Sequence, residues 1–240
     1  MRRLQGEFGE GVRFTYVMGG LAREFKRPLE TMEHVMDAGA AAGMPVDPRL
    51  WLHDAPRSSY PACIAVEAAK EQGLEEPVLR RLREGLMCER RKLDSADAIV
   101  EAVRTVPGLD VARFRIDLDS SAITERFAAD LELVRTAAPE QHSERGRVPF
   151  PSFEVKGAGG LYEDVPADAL SELVRAAGAE PRERPSVLEA LRRLGRMAVP
   201  EVAEACGLPL PRAAAELWGL ALDYRARPER FFGGELWTAA

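Results

Sequence analysis

Apolar residues recur along this chain with two different periods. From Val12 to Met18 they alternate, with Val12, Phe14, Tyr16 and Met18 on one face. That is the period of a strand, and Gly19-Gly20 closes it with a turn. Before it, Leu4 and Phe8 stand at i and i+4 and Gly9 and Gly11 stop the run, so residues 1–9 read as the end of a helix. Two turns are marginal alone, which makes this stretch the tail of a longer helix.

From about 29 to 137 the period becomes helical. Leu29, Met32, Val35 and Met36 share a stripe that ends at Gly43 and Pro45. Asp54 to Pro61 reads as a helix entry, with Ser58 or Ser59 as the cap and Pro61 in the first turn. An Ala-rich helix runs from there to Gln72-Gly73. Further helices are expected over 75–91, on Leu79, Leu82 and Leu86, then over 95–106, 110–117 and 119–137. The last carries Ile123, Phe127, Leu131 and Val134. A polar loop, 138–147, leads to a hairpin of strands 151–156 and 161–165 around Gly157–Gly160. A helix over 168–177 follows, ended by Gly178. Beyond a linker at 179–185 come helices at 186–195, 199–206 and 211–223, and a terminal segment, 226–237, that suits a small hairpin.

Composition narrows the class. The chain has 240 residues, 46% of them hydrophobic and 30% charged, with a net charge of -6. It can bury a real core, and its charge argues against a general nucleic-acid binder. No apolar run approaches the ~20 residues that span a bilayer. The first residues lack the apolar stretch of a signal peptide, so a cytoplasmic location is the default. The three cysteines, Cys63, Cys88 and Cys206, form no Cys-x-x-Cys, and Cys63 lies in an apolar stretch that suits a buried, inert thiol. His34, His53 and His142 show no metal spacing, and Gly157–Gly160 lacks the spacing of a nucleotide loop; no cofactor or metal is expected.

Strand, helical insertion, proline loop, hairpin, helix is the order of a thioredoxin-type α/β fold with a large insertion. The segment Val12–Leu21 resembles the second strand of the DsbA family, in its FrnE-like or 2-hydroxychromene-2-carboxylate isomerase-like branch. Asp47-Pro48 to Trp51, then Ser58-Ser59-Tyr60-Pro61-Ala62 and Ala68-Ala69, is similar to the opening of that branch's insertion. Phe150-Pro151-Ser152-Phe153 sits where the family carries its cis-proline loop. The resemblance implies a thioredoxin-like core in residues 1–28 and 146–180, a helical insertion in 29–145 and a separate C-terminal module in 181–240. It also implies a substrate-binding surface at Phe150 and Pro151, with Gly19, Gly20, Ser58 and Ser59. The family's first strand and catalytic Cys-x-x-Cys would precede Met1, so no residue here inherits the nucleophile's role, and the chain as written is expected to be inactive.

The C-terminal module resembles a helix-turn-helix, winged by the terminal hairpin. Its second helix offers Ala213, Ala214, Ala215 and Leu217, with Arg212 the sole basic side chain in its first two turns, whereas base readout calls for Arg, Asn or Gln. Packing on the thioredoxin-like body or docking a protein is the expected role, with Trp218, Phe231, Phe232 and Trp237 as the module's core. Two functions follow. One is a thiol–disulfide oxidoreductase or isomerase of the DsbA family, acting on a protein or thiol substrate. The other is a non-catalytic thioredoxin-like adaptor or polypeptide-binding protein. Neither nucleic acid nor membrane is an expected partner, and the sequence leaves the oligomeric state open.

Overall fold

The computed structural model describes residues 1–240. In chain order the elements are α1 (Arg2–Phe8), α2 (Pro28–Ala42), α3 (Arg49–His53), α4 (Tyr60–Lys70), α5 (Glu75–Met87), α6 (Ala96–Val103), α7 (Val111–Leu118) and α8 (Ser121–Thr136). After them come β1 (Ser152–Glu154), β2 (Leu161–Glu163), α9 (Ala167–Ala176), α10 (Val187–Leu194), α11 (Val199–Cys206), α12 (Leu210–Leu222), β3 (Ala226–Phe231) and β4 (Gly234–Ala239). The class is the expected α/β one: small sheets, a large helical region and C-terminal helices. The chain divides into two compact units, one of Met1–Phe14, Ala42–Pro45 and Glu140–Ala240, the other of Thr15–Ala41 and Val46–Pro139.

The second unit is helical and is built around α4. Ala65, Ala68 and Ala69 have no exposed surface, and such small side chains let neighbouring helices approach closely. Val78 and Leu82 of α5, Ile99 and Val103 of α6, Phe114 of α7, and Ile123 and Phe127 of α8 complete this core. Tyr60 meets Phe127 edge to face, with ring centroids 5.0 Å apart. Local chemistry sets the helix starts. Ser95 Oγ accepts from the Ala98 amide at 3.4 Å, and Asp110 Oδ1 accepts from the Arg113 amide at 3.0 Å. At α4 the hydroxyl that reaches the first turn is that of Ser58, which accepts from the Tyr60 amide at 3.1 Å. The short α3 was not foreseen. Its entry is held by buried Asp47, which accepts from Arg49 Nη2 at 2.5 Å and has Arg90 Nε at 3.4 Å.

The expected strand Val12–Met18 is not a strand. Burial does alternate along it: Val12, Phe14, Tyr16 and Met18 are covered, while Arg13, Thr15 and Val17 are exposed. Yet no other segment pairs with it, because β1 bonds only to β2 and β3 only to β4. Side chains take the place of a ladder. Lys70 Nζ donates to the Tyr16 carbonyl at 2.7 Å, and the Met18 amide donates to Asp130 Oδ2 at 2.6 Å. Gly20 then turns the chain at φ +62°, where a Cβ would lie 2.7 Å from Tyr60 Cε1.

The first unit has two cores. Leu4 and Phe8 of α1 pack with Leu170 and Val174 of α9, and Val12, Phe14, Phe153 and Val155 cover them. Val187 and Leu191, Met197, Val202, Leu217 and Trp237 form the other. In β1–β2 Phe153 pairs with Tyr162, and in β3–β4 Pro228 pairs with Trp237. Of the four aromatics expected in the C-terminal core, only Trp237 is fully buried; Trp218 is 44% exposed and Phe232 53%. Trp218 lies against Trp237 edge to face from the solvent side, and Phe232 occupies the turn of the hairpin.

Helix α1 joins the two cores. At Gly6 it approaches α11 so closely that a Cβ would stand 1.9 Å from the Ala205 carbonyl oxygen. Next to it the Glu7 carboxylate is buried. It accepts from Ser171 Oγ at 3.0 Å, Arg175 Nε at 2.7 Å and Arg184 Nη2 at 2.6 Å. Arg184 also donates to the Glu204 carbonyl at 2.7 Å, and the Arg182 amide donates to the Glu7 carbonyl at 2.6 Å. The linker read from composition is thus a strap that ties α9, α1 and α11 together. Burial opposes the charge on Glu7. The hydrogen bonds from Arg175 and Ser171 and the nearby guanidinium charges outweigh it, and the carboxyl is held below the usual carboxylate range.

Two outcomes are expected. Gly6→Ala forces α1 and α11 apart and lowers unfolding free energy by about 3 kcal/mol in denaturant titration; a loss below about 1 kcal/mol would mean that the two helices slide without cost. Glu7→Ala removes the acceptor shared by Ser171, Arg175 and Arg184 and costs about 2 kcal/mol at neutral pH. Because the folded pKa lies below the ordinary 4.5, this stabilisation is present above that pH and is lost as pH falls through the folded value. The parent chain should therefore lose stability below pH 4.5 more steeply than Glu7→Ala, and parallel curves would contradict the assignment.

Candidate functional site

The expected site residues fall into two groups, one in each unit. In the first unit Phe150 and Pro151 lead into β1, and the peptide between them is cis. Side chains and the hairpin fix this loop. Ser152 Oγ donates to the Pro149 carbonyl at 2.6 Å, and the Asp164 amide, just past β2, donates to the Pro151 carbonyl at 3.1 Å. Phe150 is 43% exposed, and the Arg147 guanidinium lies 4.4 Å from its ring centroid. That cation–π contact holds the ring outward and leaves an apolar face with a positive edge. Arg147 is itself placed by a turn in which its carbonyl accepts from the Ser143 amide at 2.9 Å and from Ser143 Oγ at 3.1 Å.

In the second unit Gly19 and Gly20 are buried, at the foot of the segment that Lys70 and Asp130 hold. Ser58 and Ser59 are brought to the residue that follows this turn by two. The Ala22 amide donates to Ser59 Oγ at 3.0 Å, and the Ala22 carbonyl accepts from the Ser59 amide at 3.0 Å. Ser58 Oγ lies 3.3 Å from the same carbonyl. The four residues are therefore one structural group, in which the serine hydroxyls fasten the chain leaving Gly20 to the start of α4.

Sequence reasoning missed the ionic cluster beneath this turn. Glu67 is buried on α4, and Lys70 Nζ, one turn on, lies 2.5 Å from its Oε1 and 3.7 Å from Asp130 Oδ2 on α8. Burial pushes the Glu67 carboxyl up, with Asp130 adding to the effect and Lys70 opposing it. The i, i+3 spacing of Glu67 and Lys70 was visible in the sequence; that both would turn inward to replace a missing ladder was not.

The thiols are dispersed. Cys63, Cys88 and Cys206 are all free. Cys88 and Cys206 are buried, whereas Cys63, expected to be buried, is only half-buried, because its helix turns Ala65, Ala68 and Ala69 to the core instead. Burial, with Glu216 nearby, pushes the Cys206 thiol up to about 11, which leaves almost no thiolate at neutral pH. No group of His, Cys, Asp and Glu is arranged to hold a metal ion. No helix is long and apolar enough to cross a membrane. In the would-be recognition helix, Arg212 Nε donates to Glu216 Oε1 at 2.8 Å.

The chain is 28% identical over 147 residues to a ClpXP adapter protein, SpxH, of Halalkalibacterium halodurans, an alignment covering 56% of this chain and 48% of that protein. The chain thus spans about half the length of the curated relative it matches. The family model described as Thioredoxin matches residues 1–138, which is more than half of the 240. On that match, the chain belongs to the thioredoxin family.

Proposed function

We propose that this chain is a non-catalytic thioredoxin-family adaptor that binds polypeptides and hands them to a protease of the ClpXP kind. The observation that carries the reading is the similarity to a ClpXP adapter over 147 residues. The state of the thiols supports it. Three separate cysteines, one with its thiol pushed up to about 11, are poor material for disulfide exchange. We propose further that the chain stands in the DsbA-like branch of its family. The helical region between the Val12–Gly20 segment and the Pro151 loop, and the hairpin and helix after that loop, support this placement.

On this reading Phe150 and Pro151 are contact residues for bound polypeptide. Phe150 offers an exposed ring beside the unpaired edge of a short hairpin, a setting in which an extended peptide gains both an apolar contact and main-chain hydrogen bonds. Gly19, Gly20, Ser58 and Ser59 act by shaping the turn in the other unit. The C-terminal module, fastened to α1 by the Arg182–Arg184 strap, is a support or a second docking element. A cytoplasmic location accompanies the role.

The test is ATP-dependent proteolysis by purified ClpXP from the host, supplied with host proteins, with and without this chain. A defined subset of proteins should turn over several-fold faster when the chain is present, and the chain itself should survive. The variant with Cys63→Ala, Cys88→Ala and Cys206→Ala should act as the parent does. Unchanged turnover of every protein would refute the adaptor role. Loss of the effect in the folded triple variant would mean that thiol chemistry is required after all.

A further inference from the structure

Helix α2 is the least buried long helix of the chain: of its residues only Gly39 is fully covered. At 100° per residue Pro28, Thr31, Met32, Val35 and Gly39 share the side turned to the protein. Beside them, Leu29, Met36 and Ala40 fall within a sector of about 40°, with half-buried Met32 at its inner edge. Leu29 is 56% exposed and Met36 43%. The stripe rises over three turns, a length of about 16 Å. Glu33 and Asp37 lie along its outer margin, one turn apart.

Charge makes this stripe specific. No Lys or Arg occurs between Arg27 and Arg49. Arg27 is engaged with Glu30, its Nη1 donating to Oε1 at 2.9 Å. Glu33 and Asp37 have no cationic partner, and as like charges at i and i+4 they disfavour the helix that carries them. An apolar, methionine-bearing stripe with an unneutralised acidic margin is stable only at a cost, and a basic ligand removes that cost. Methionine is also the side chain that adapts best to varied apolar partners.

We propose that α2 is a docking surface for an amphipathic helix whose apolar face is bordered by Lys or Arg. Spacing at i, i+3/i+4 and i+7 suits a helix laid along a helix rather than a strand. A second copy of this chain is a poor occupant, because its own α2 brings only more acid to the margin. The inference rests on the polypeptide-binding role proposed above, for which it supplies the chemistry of a partner.

The experiment is direct binding to the full chain, without any protease, so its outcome is separate from that of the ClpXP assay. The probe is a labelled 18-residue helical peptide with a Leu/Ala face bordered by lysines; the control carries glutamates at those positions. In fluorescence anisotropy at low salt, the lysine peptide should bind at least tenfold more tightly than the control and weaken in high salt. Met36→Glu, at an exposed site, should lower its affinity at least tenfold while leaving the thermal unfolding temperature unchanged. The pair Glu33→Lys and Asp37→Lys should invert the preference, so that the glutamate peptide binds better. Equal binding of both peptides, indifference to Met36→Glu, or no inversion would overturn the proposal. So would a dimer of the parent chain that Met36→Glu dissociates, since a second copy would then be the occupant.

Discussion

Glu7 gives up its water to Ser171, Arg175 and Arg184, and the first unit is organised around that exchange. The carboxylate sits on a helix of seven residues, far too short to persist by its own hydrogen bonds. Its neighbours hold it instead: α9 through Leu170 and Val174, α11 through the close approach at Gly6, and the 182–184 strap through both backbone and guanidinium. Each of these alone is a modest contact. Together they join the C-terminal helices to α1 and α9 within one compact unit, with the Glu7 charge met by three donors.

The second unit solves a different problem. The stretch through Tyr16 and Met18 has the side-chain alternation of a strand and no strand beside it. Backbone groups in that position must find partners somewhere, and Lys70 and Asp130 supply them from α4 and α8. Glu67 pairs with the lysine, while burial pushes its own pKa up. The result is a turn at Gly19–Gly20 fixed by helices, not by a sheet, with Ser58 and Ser59 fastening the chain beyond it.

These two devices mark the limits of what the sequence made legible. The long helices were readable because a 3.6-residue stripe is a local property: Leu82 in α5 and Phe127 in α8 announce their burial within their own segments. The hairpins at Phe153–Tyr162 and Pro228–Trp237 were readable from alternation bounded by glycines. The Val12–Met18 segment failed as a strand because a ladder is a property of two segments, and alternation within one does not show which segment lies beside it. Helix α3 was missed because a single turn has no period. Trp218 was misplaced because an aromatic ring at a helix position signals contact, not depth, and here Trp237 takes the interior. Of the candidate site, Phe150 and Pro151 could be picked out by position, whereas the Glu67–Lys70–Asp130 cluster brings Asp130 of α8 to an i, i+3 pair on α4, a contact that no local pattern announces.

The role proposed here is that of a protein that works by holding others rather than by exchanging disulfides. The most direct test of that claim is to recover the chain from its host after blocking free thiols, and to compare the proteins bound to it before and after reductant. The account predicts one set of non-covalent partners, the same under both conditions. A partner released only by reductant would show a mixed disulfide and contradict it.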